Sequence, residues 1–408
     1  MAQGIEWIAN PMKRTDGPMA SVEFLSKQEI GKVRNFHKSF SEYQETPLRS
    51  LDTLAGVLGV AGVYVKDESY RFGLNAFKVL GSSYAIGKHL AKKLGKDISA
   101  VSFADLVSPH VKQQLGDITF TTATDGNHGR GLAWTANRLQ QKSVVYMPKG
   151  SSVKRLNAIK GEGAEAYITE YNYDDAVRLS ASQAQKHGWV IVQDTAWEGY
   201  EDIPAWIMQG YGTMAAEALD QLNRMEVERP THIFVQAGVG SLAGAVQGFF
   251  ASVFQKNRPI TVIVEADRAA CLYKSAQVGD GEPQFVGGDM DTIMAGLACG
   301  EPNTISWEIL RDYSDLFVSC SDWVTALGMR LLSSPAGSDP RIISGESGAV
   351  TSGLLHLIMR EKGLESLREK LELDRNSRVL LFSTEGDTDP EKYASIVWGG
   401  EYPAPQSI

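Results

Sequence analysis

The sequence predicts an α/β fold of two open, twisted, mainly parallel sheets flanked by helices, and three observations predict it. Short apolar runs rich in β-branched residues recur along the chain. Helix-length stretches with apolar residues at helical spacing lie between them. At 408 residues and 43% hydrophobic content, the chain can bury two such layers in separate domains.

The strand-like runs are VYV at 63–65, ITFTT at 118–122, SVVYM at 143–147, VIV at 190–192, HIFV at 232–235, TVIVE at 261–265 and VLLFS at 379–383. HGRGLAWTANRLQQ, SVKRLNAIKGEG and PAWIMQGYGTMAAEALDQL carry the helical pattern. Strand alternating with helix is the pattern of a parallel sheet. Residues 278–304 are rich in Gly, Asp and Pro and read as a long loop, either a border of the active site or a plain surface excursion. Charge and glycine are spread evenly, so composition marks no domain boundary.

The balance of 40 basic against 49 acidic residues, net -9, argues against nucleic acid as a partner. The opening residues MAQGIEWIANPMKR lack a secretory pattern and no apolar run reaches bilayer length, so no membrane contact is expected and a cytoplasmic location is. Cys271, Cys299 and Cys320 show no CxxC spacing and read as buried thiols, with a Cys271–Cys299 pair left open. The seven histidines have no metal-ligand spacing, so no metal is expected.

Four segments carry candidate chemistry. In KDESYRFGLNAFKVLGSSYAIGKHL, Lys78 follows a turn-prone stretch and opens an apolar-periodic helix, with Phe77 and Val79 beside it. A lone lysine is ordinarily a solvated cation; one in a crowded apolar pocket has a lowered pKa and becomes competent to form a Schiff base. In TTATDGNHGRG, a β-rich run stops at Asp125-Gly126 and a helix begins after Asn127. Its first amides suit a carboxylate, although an Asp-Gly turn with an N-cap explains the same residues. In QAGVGSLAGAV, Gly238, Gly240 and Ser241 suit a phosphate nest, while Gly238, Gly240 and Gly244, with Glu265 ending the next strand, also imitate a dinucleotide site. In VLLFSTEGDTDP, Ser383 and Thr384 end a strand and offer hydroxyls, or simply cap its exit.

In this order the four segments resemble the fold type II family of pyridoxal phosphate enzymes, over residues 60–390. The strings GLNAFKVLGSSYA, TTATDGNHGRG, SSVKRLNAIKGEGAEA and STEGDTDP resemble the branch that eliminates ammonia from 2,3-diaminopropionate, rather than the serine and threonine dehydratases. The resemblance implies pyridoxal 5'-phosphate held covalently by Lys78, with Asn127 on the ring hydroxyl and Gly238, Val239, Gly240, Ser241 and Leu242 on the phosphate. It further implies Ser383 or Thr384 at the pyridine nitrogen, and matches Glu346 to a region lining the ring. Thr124, Asp125, Gly126 and Asp194 would receive the substrate.

Dehydratases carry a small neutral residue where Asp125 stands. A carboxylate there repels the substrate carboxylate unless a second substrate amine compensates, or unless Asp125 is used as a base. The resemblance assigns the α-proton of the L isomer to Lys78 and that of the D isomer to Asp125, with Asp125, Asp194 or Lys78 protonating the departing amine. A serine or threonine dehydratase and, from another class, a nicotinamide-dependent dehydrogenase are the alternative readings. The resemblance also implies a homodimer, a large cofactor-binding domain of residues 1–83 and 201–408, and a small domain of residues 84–200 inserted into it.

Overall fold

The computed structural model describes residues 4–405. Its strands are β1 (Ile5–Ala9), β2 (Leu48–Ser50), β3 (Gly62–Asp67), β4 (Thr119–Ala123), β5 (Lys142–Met147), β6 (Glu165–Ile168), β7 (Val190–Ile191), β8 (His232–Gln236), β9 (Ile260–Ala266), β10 (Leu316–Cys320) and β11 (Arg378–Ser383). Seven form one sheet in the order β1-β10-β9-β8-β11-β3-β2, and four form another in the order β6-β5-β4-β7. Only the outermost strands of the larger sheet, β1 and β2, run antiparallel to their neighbours. The predicted pair of mainly parallel sheets is therefore present, and the long loop at 278–304 contains only the short 3-10 turn Ala295–Leu297 after its start.

Helices cover both faces of the larger sheet, as consecutive residues of its inner strands show. Ile233 and Val235 of β8 join one apolar cluster while Phe234 between them joins the other; Leu380 and Phe382 of β11 alternate in the same way with Val379 and Leu381. Burial on both sides is why these strands read as continuous apolar runs.

A charged cluster sits between β3 and the segment that carries Lys78. Lys66 Nζ donates to Glu217 Oε2 at 2.7 Å, to Thr46 O at 2.7 Å and to Gln221 Oε1 at 2.8 Å. Arg71 donates to both oxygens of Glu217, at 2.9 and 2.7 Å, and to both of Glu68, each at 2.8 Å. Lys66, Glu68, Arg71 and Glu217 are all fully buried. Charges removed from water need such complete partnering. The cluster thereby clamps the turn Glu68–Gly73 onto the helix Asp202–Arg224. Removing Glu217 as Glu217→Leu takes the ion-pair partner from buried Lys66 and leaves Arg71 with Glu68 alone, and the expected loss is about 3–5 kcal/mol, read as a lowered urea midpoint; an unchanged midpoint would show that the cluster does not hold this turn.

Candidate functional site

The parallel strands of both sheets end toward one cavity, the place where open α/β sheets bind ligands. Gln236 ends β8 and leads into the loop at 237–240; Thr384 and Glu385 follow β11; Thr124 and Asp125 follow β4; Asp194 follows β7. Lys78, reached from β3 through the Glu68–Gly73 turn, lines the same cavity. The chain before it is tied to the exit of β11, since Phe77 N donates to Thr384 O at 3.0 Å and Gly386 N to Asn75 O at 3.0 Å. Lys78 itself caps the helix Val79–Lys93. The helix Asn127–Arg138 lies flush on that start, where a Cβ on Gly131 would meet Val79 Cα at 2.8 Å.

Lys78 Nζ is ion-paired with Asp194 Oδ2. Phe77 and Tyr211 supply ring faces 5.7 and 6.0 Å from the ammonium. The apolar crowding expected around Lys78 is there, but the expected lowering of its pKa is not. Burial pulls the ammonium down, yet Asp194, Tyr211 and Asp125 outweigh it and hold the lysine above its ordinary value. Burial likewise pushes the Asp194 carboxyl up, and Lys78 and His128 outweigh that, holding it well below the usual carboxylate range. The correction has a simple cause: a buried carboxylate on a distant part of the chain reaches the amine, and local sequence does not show it.

Hydrogen bonds to both its backbone and its carboxylate hold Asp194 from behind. Ser241 Oγ donates to the Asp194 carbonyl, Asn303 Nδ2 donates to Ser241 Oγ at 2.9 Å, and Tyr173 OH donates to Asp194 Oδ1 at 3.3 Å.

Gly238, Val239, Gly240, Ser241 and Leu242 line the cavity together at the start of the helix Ser241–Phe254. The first amides of a helix have no partner within it and suit an anion. Gly240 has φ +99°, and a Cβ there would lie 2.8 Å from Ser306 Oγ. Glu265, the acid of the dinucleotide alternative, does not face this loop. It is fully buried, accepts the amides of Leu272 and Tyr273 at 2.8 and 2.6 Å, and burial pushes its carboxyl up to about 8. It ties β9 to the helix Cys271–Val278, which is a structural task.

Of the two hydroxyls at the end of β11, Thr384 lines the cavity and Ser383 does not; Ser383 Oγ donates to Ser344 Oγ at 2.8 Å. Gln236 Nε2 donates to Thr384 Oγ1 at 2.9 Å, which leaves the threonine proton free to donate onward. Asn127 lines the cavity, with Nδ2 donating to the Glu385 carboxylate. Thr124 also lines it, while Gly126 does not: its amide turns to Thr124 Oγ1 at 2.9 Å. Glu346 lies outside the lining; its buried carboxyl, one oxygen without a partner among the described residues, is pushed up to about 7 by burial and by Glu385. Cys271, Cys299 and Cys320 are buried free thiols, with Cys299 on the cavity wall.

Tyr173, Gln236 and Glu385 also line the cavity and were not singled out from sequence. Gln236 and Glu385 lie inside the motif strings QAGVGSLAGAV and STEGDTDP, so the signal was adjacency to a glycine turn. Tyr173 opens the helix Tyr173–His187, far from any motif, and carried no signal. The donor set fits pyridoxal phosphate: a lysine amine, a row of helix-start amides, a neutral hydroxyl and an amide side chain surround one cavity. Among the described residues no cluster of His, Cys, Asp and Glu is arranged to hold a metal ion, and no helix is long and apolar enough to cross a membrane.

The family model for the pyridoxal-phosphate dependent enzymes matches residues 40–384. The diaminopropionate ammonia-lyase of Salmonella typhimurium is 52% identical over 401 residues, covering 98% of this chain and 99% of the relative. Two crystal structures of the Escherichia coli diaminopropionate ammonia lyase are 48% identical. One holds an aminoacrylate-PLP azomethine reaction intermediate, with TM-score 0.90 over 98% of each chain, and the other holds D-serine, with TM-score 0.92 over 99% of each. The strained turn at Gly240 gives a direct check. Gly240→Ala should weaken retention of pyridoxal phosphate by about tenfold, from strain of roughly 1–3 kcal/mol, measured by titrating the apoenzyme; unaltered affinity would remove this loop from the binding site.

Proposed function

The chain belongs to the pyridoxal-phosphate dependent enzymes, and on that premise we propose that it eliminates ammonia from D- and L-2,3-diaminopropionate, giving pyruvate and two ammonia with uptake of one water. One observation carries this reading: Lys78 and the carboxylates of Asp194 and Asp125 line a single cavity, beside a Glu385 that accepts from Asn127. A dehydratase has no need of the second carboxylate, whereas a substrate with two amines does.

Pyridoxal phosphate bound here supplies an electron sink for the charge left when an α-proton departs. Lys78 would hold its aldehyde, the amides and hydroxyl of residues 238–242 its phosphate, Asn127 its ring hydroxyl, and Thr384 its pyridine nitrogen. Thr384 offers a neutral hydroxyl rather than a carboxylate and so does not force ring protonation, which favours elimination over transamination.

The proton work falls to three side chains. Thr124 Oγ1, by accepting the amides of Gly126 and Gly129 at 2.9 and 3.1 Å, shapes the turn that receives the substrate carboxylate. Lys78 Nζ, once free as an amine, takes the α-proton of the L isomer, and the Asp125 carboxylate takes that of the D isomer. An amine leaves only when protonated: with the L isomer Asp194, paired to Lys78, passes on the α-proton that the lysine has taken, and with the D isomer the proton comes from the Asp125 carboxyl that has taken it. Tyr173 and Ser241 keep Asp194 aimed at the lysine throughout.

Other parts of the reading are of the same kind. The small domain of residues 84–200 is supported by the four-stranded sheet, whose strands all fall within residues 119–191. A homodimer and a cytoplasmic location complete the proposal.

Steady-state release of pyruvate and ammonia tests it. Both isomers of diaminopropionate should yield two ammonia per pyruvate, faster than serine or threonine yields keto acid; preference for threonine would replace the reading with a dehydratase. Asp125→Asn should abolish turnover of the D isomer and spare much of the L activity, and equal loss for both would remove the two-base assignment.

A further inference from the structure

Asp125 brings a negative charge to the place where a substrate carboxylate is to be received. A second substrate amine is one way to balance it; the chain itself carries another. Arg155, in the helix Val153–Gly161, reaches under the Asp125–Gly126 turn and sets Nη1 3.6 Å from Asp125 Oδ2. Among the described residues it is the only cation within 4 Å of that carboxylate. Lys78, the nearest alternative on the cavity wall, is committed to Asp194.

The placement is built. The Arg155 side chain is only 11% exposed, and its Nε is buried with no partner among the described residues. Its stem packs on Gly126, where a Cβ would meet Arg155 Cδ at 2.8 Å, so any larger residue after Asp125 would push the arginine away. Burial works against its charge, but the carboxylates of Asp125, Glu385, Glu346 and Asp389 outweigh that and keep it a cation. Asp125 also faces Lys78, His128, Tyr173 and Asp194 across the cavity. On its outer side it shares a second pocket with Lys149, Asp289, Asp291, Asp389 and Lys392.

We propose that Arg155 is a positioning residue for the D isomer: it fixes the direction of the Asp125 carboxylate and balances its charge, so that Asp125 works as a base without repelling the substrate. This rests on the two-base reading above.

The test compares kcat/KM for D- and L-diaminopropionate in holoenzyme with Arg155→Leu, Arg155→Gln and Arg155→Lys, each normalised to bound cofactor by its visible absorbance. The leucine and glutamine variants should lose about tenfold or more on the D isomer, as mispositioned groups do, and less than about threefold on the L isomer. Arg155→Lys, which restores a cation, should recover part of the D activity. Parallel loss on both isomers, a D to L ratio equal to the wild type, or a lysine variant no better than glutamine would overturn the inference. The glutamine and lysine variants keep the stem on Gly126, so the comparison survives a leucine variant that does not fold. If Asp125→Asn is selective for the D isomer while the Arg155 variants are not, only this inference falls. If Asp125→Asn strikes both isomers equally, or the wild type ignores the D isomer, the two-base reading falls and takes this inference with it.

Discussion

The ion pair between Lys78 and Asp194 is the constraint around which the site is arranged. Two charges facing a half-closed apolar cavity persist only if each satisfies the other and both are held in place. The chain meets that demand from two directions. On the lysine side, the Lys66–Glu217–Arg71–Glu68 cluster fixes the turn after β3, and the hydrogen bonds between residues 75–77 and 384–386 seat the amine against the exit of β11. On the aspartate side, Ser241 and Asn303 grip the Asp194 backbone and Tyr173 its carboxylate.

The same contacts join the two sheets. Asp194 comes from the exit of β7 in the four-stranded sheet, while Ser241 belongs to the glycine loop after β8 in the seven-stranded one. The loop suited to the phosphate is therefore also bonded to the residue whose carboxylate pairs with Lys78. Arg155 plays the corresponding part for Asp125, so Asp194 and Asp125 each face a cation of their own, while Glu385 on the same wall accepts from Asn127.

Much of this was legible in the sequence, and the parts that were not share a physical reason. Strands buried on both faces, such as β8, β9 and β11, write themselves as unbroken apolar runs. β2 is three residues long, and the edge strands β1 and β6 are partly exposed, so their patterns are mixed. β10 (LFVSC) is fully buried, but its apolar run is cut to three residues by Ser319 and Cys320. At the site, Lys78, Asn127 and the 238–242 loop lie in motifs whose glycines and turn residues act locally. The state of the lysine was not legible, because Asp194 lies 116 positions away and reverses what local apolarity alone implies. Nor was the choice between Ser383 and Thr384, which depends on the two-residue alternation at the end of a strand and on Gln236 from its neighbour.

Reduction of the holoenzyme with borohydride, followed by peptide mapping, identifies the lysine that carries the cofactor. The account requires the reduced cofactor to be found on Lys78 alone. Label on Lys66, Lys88 or any other lysine, or none at all, would contradict it.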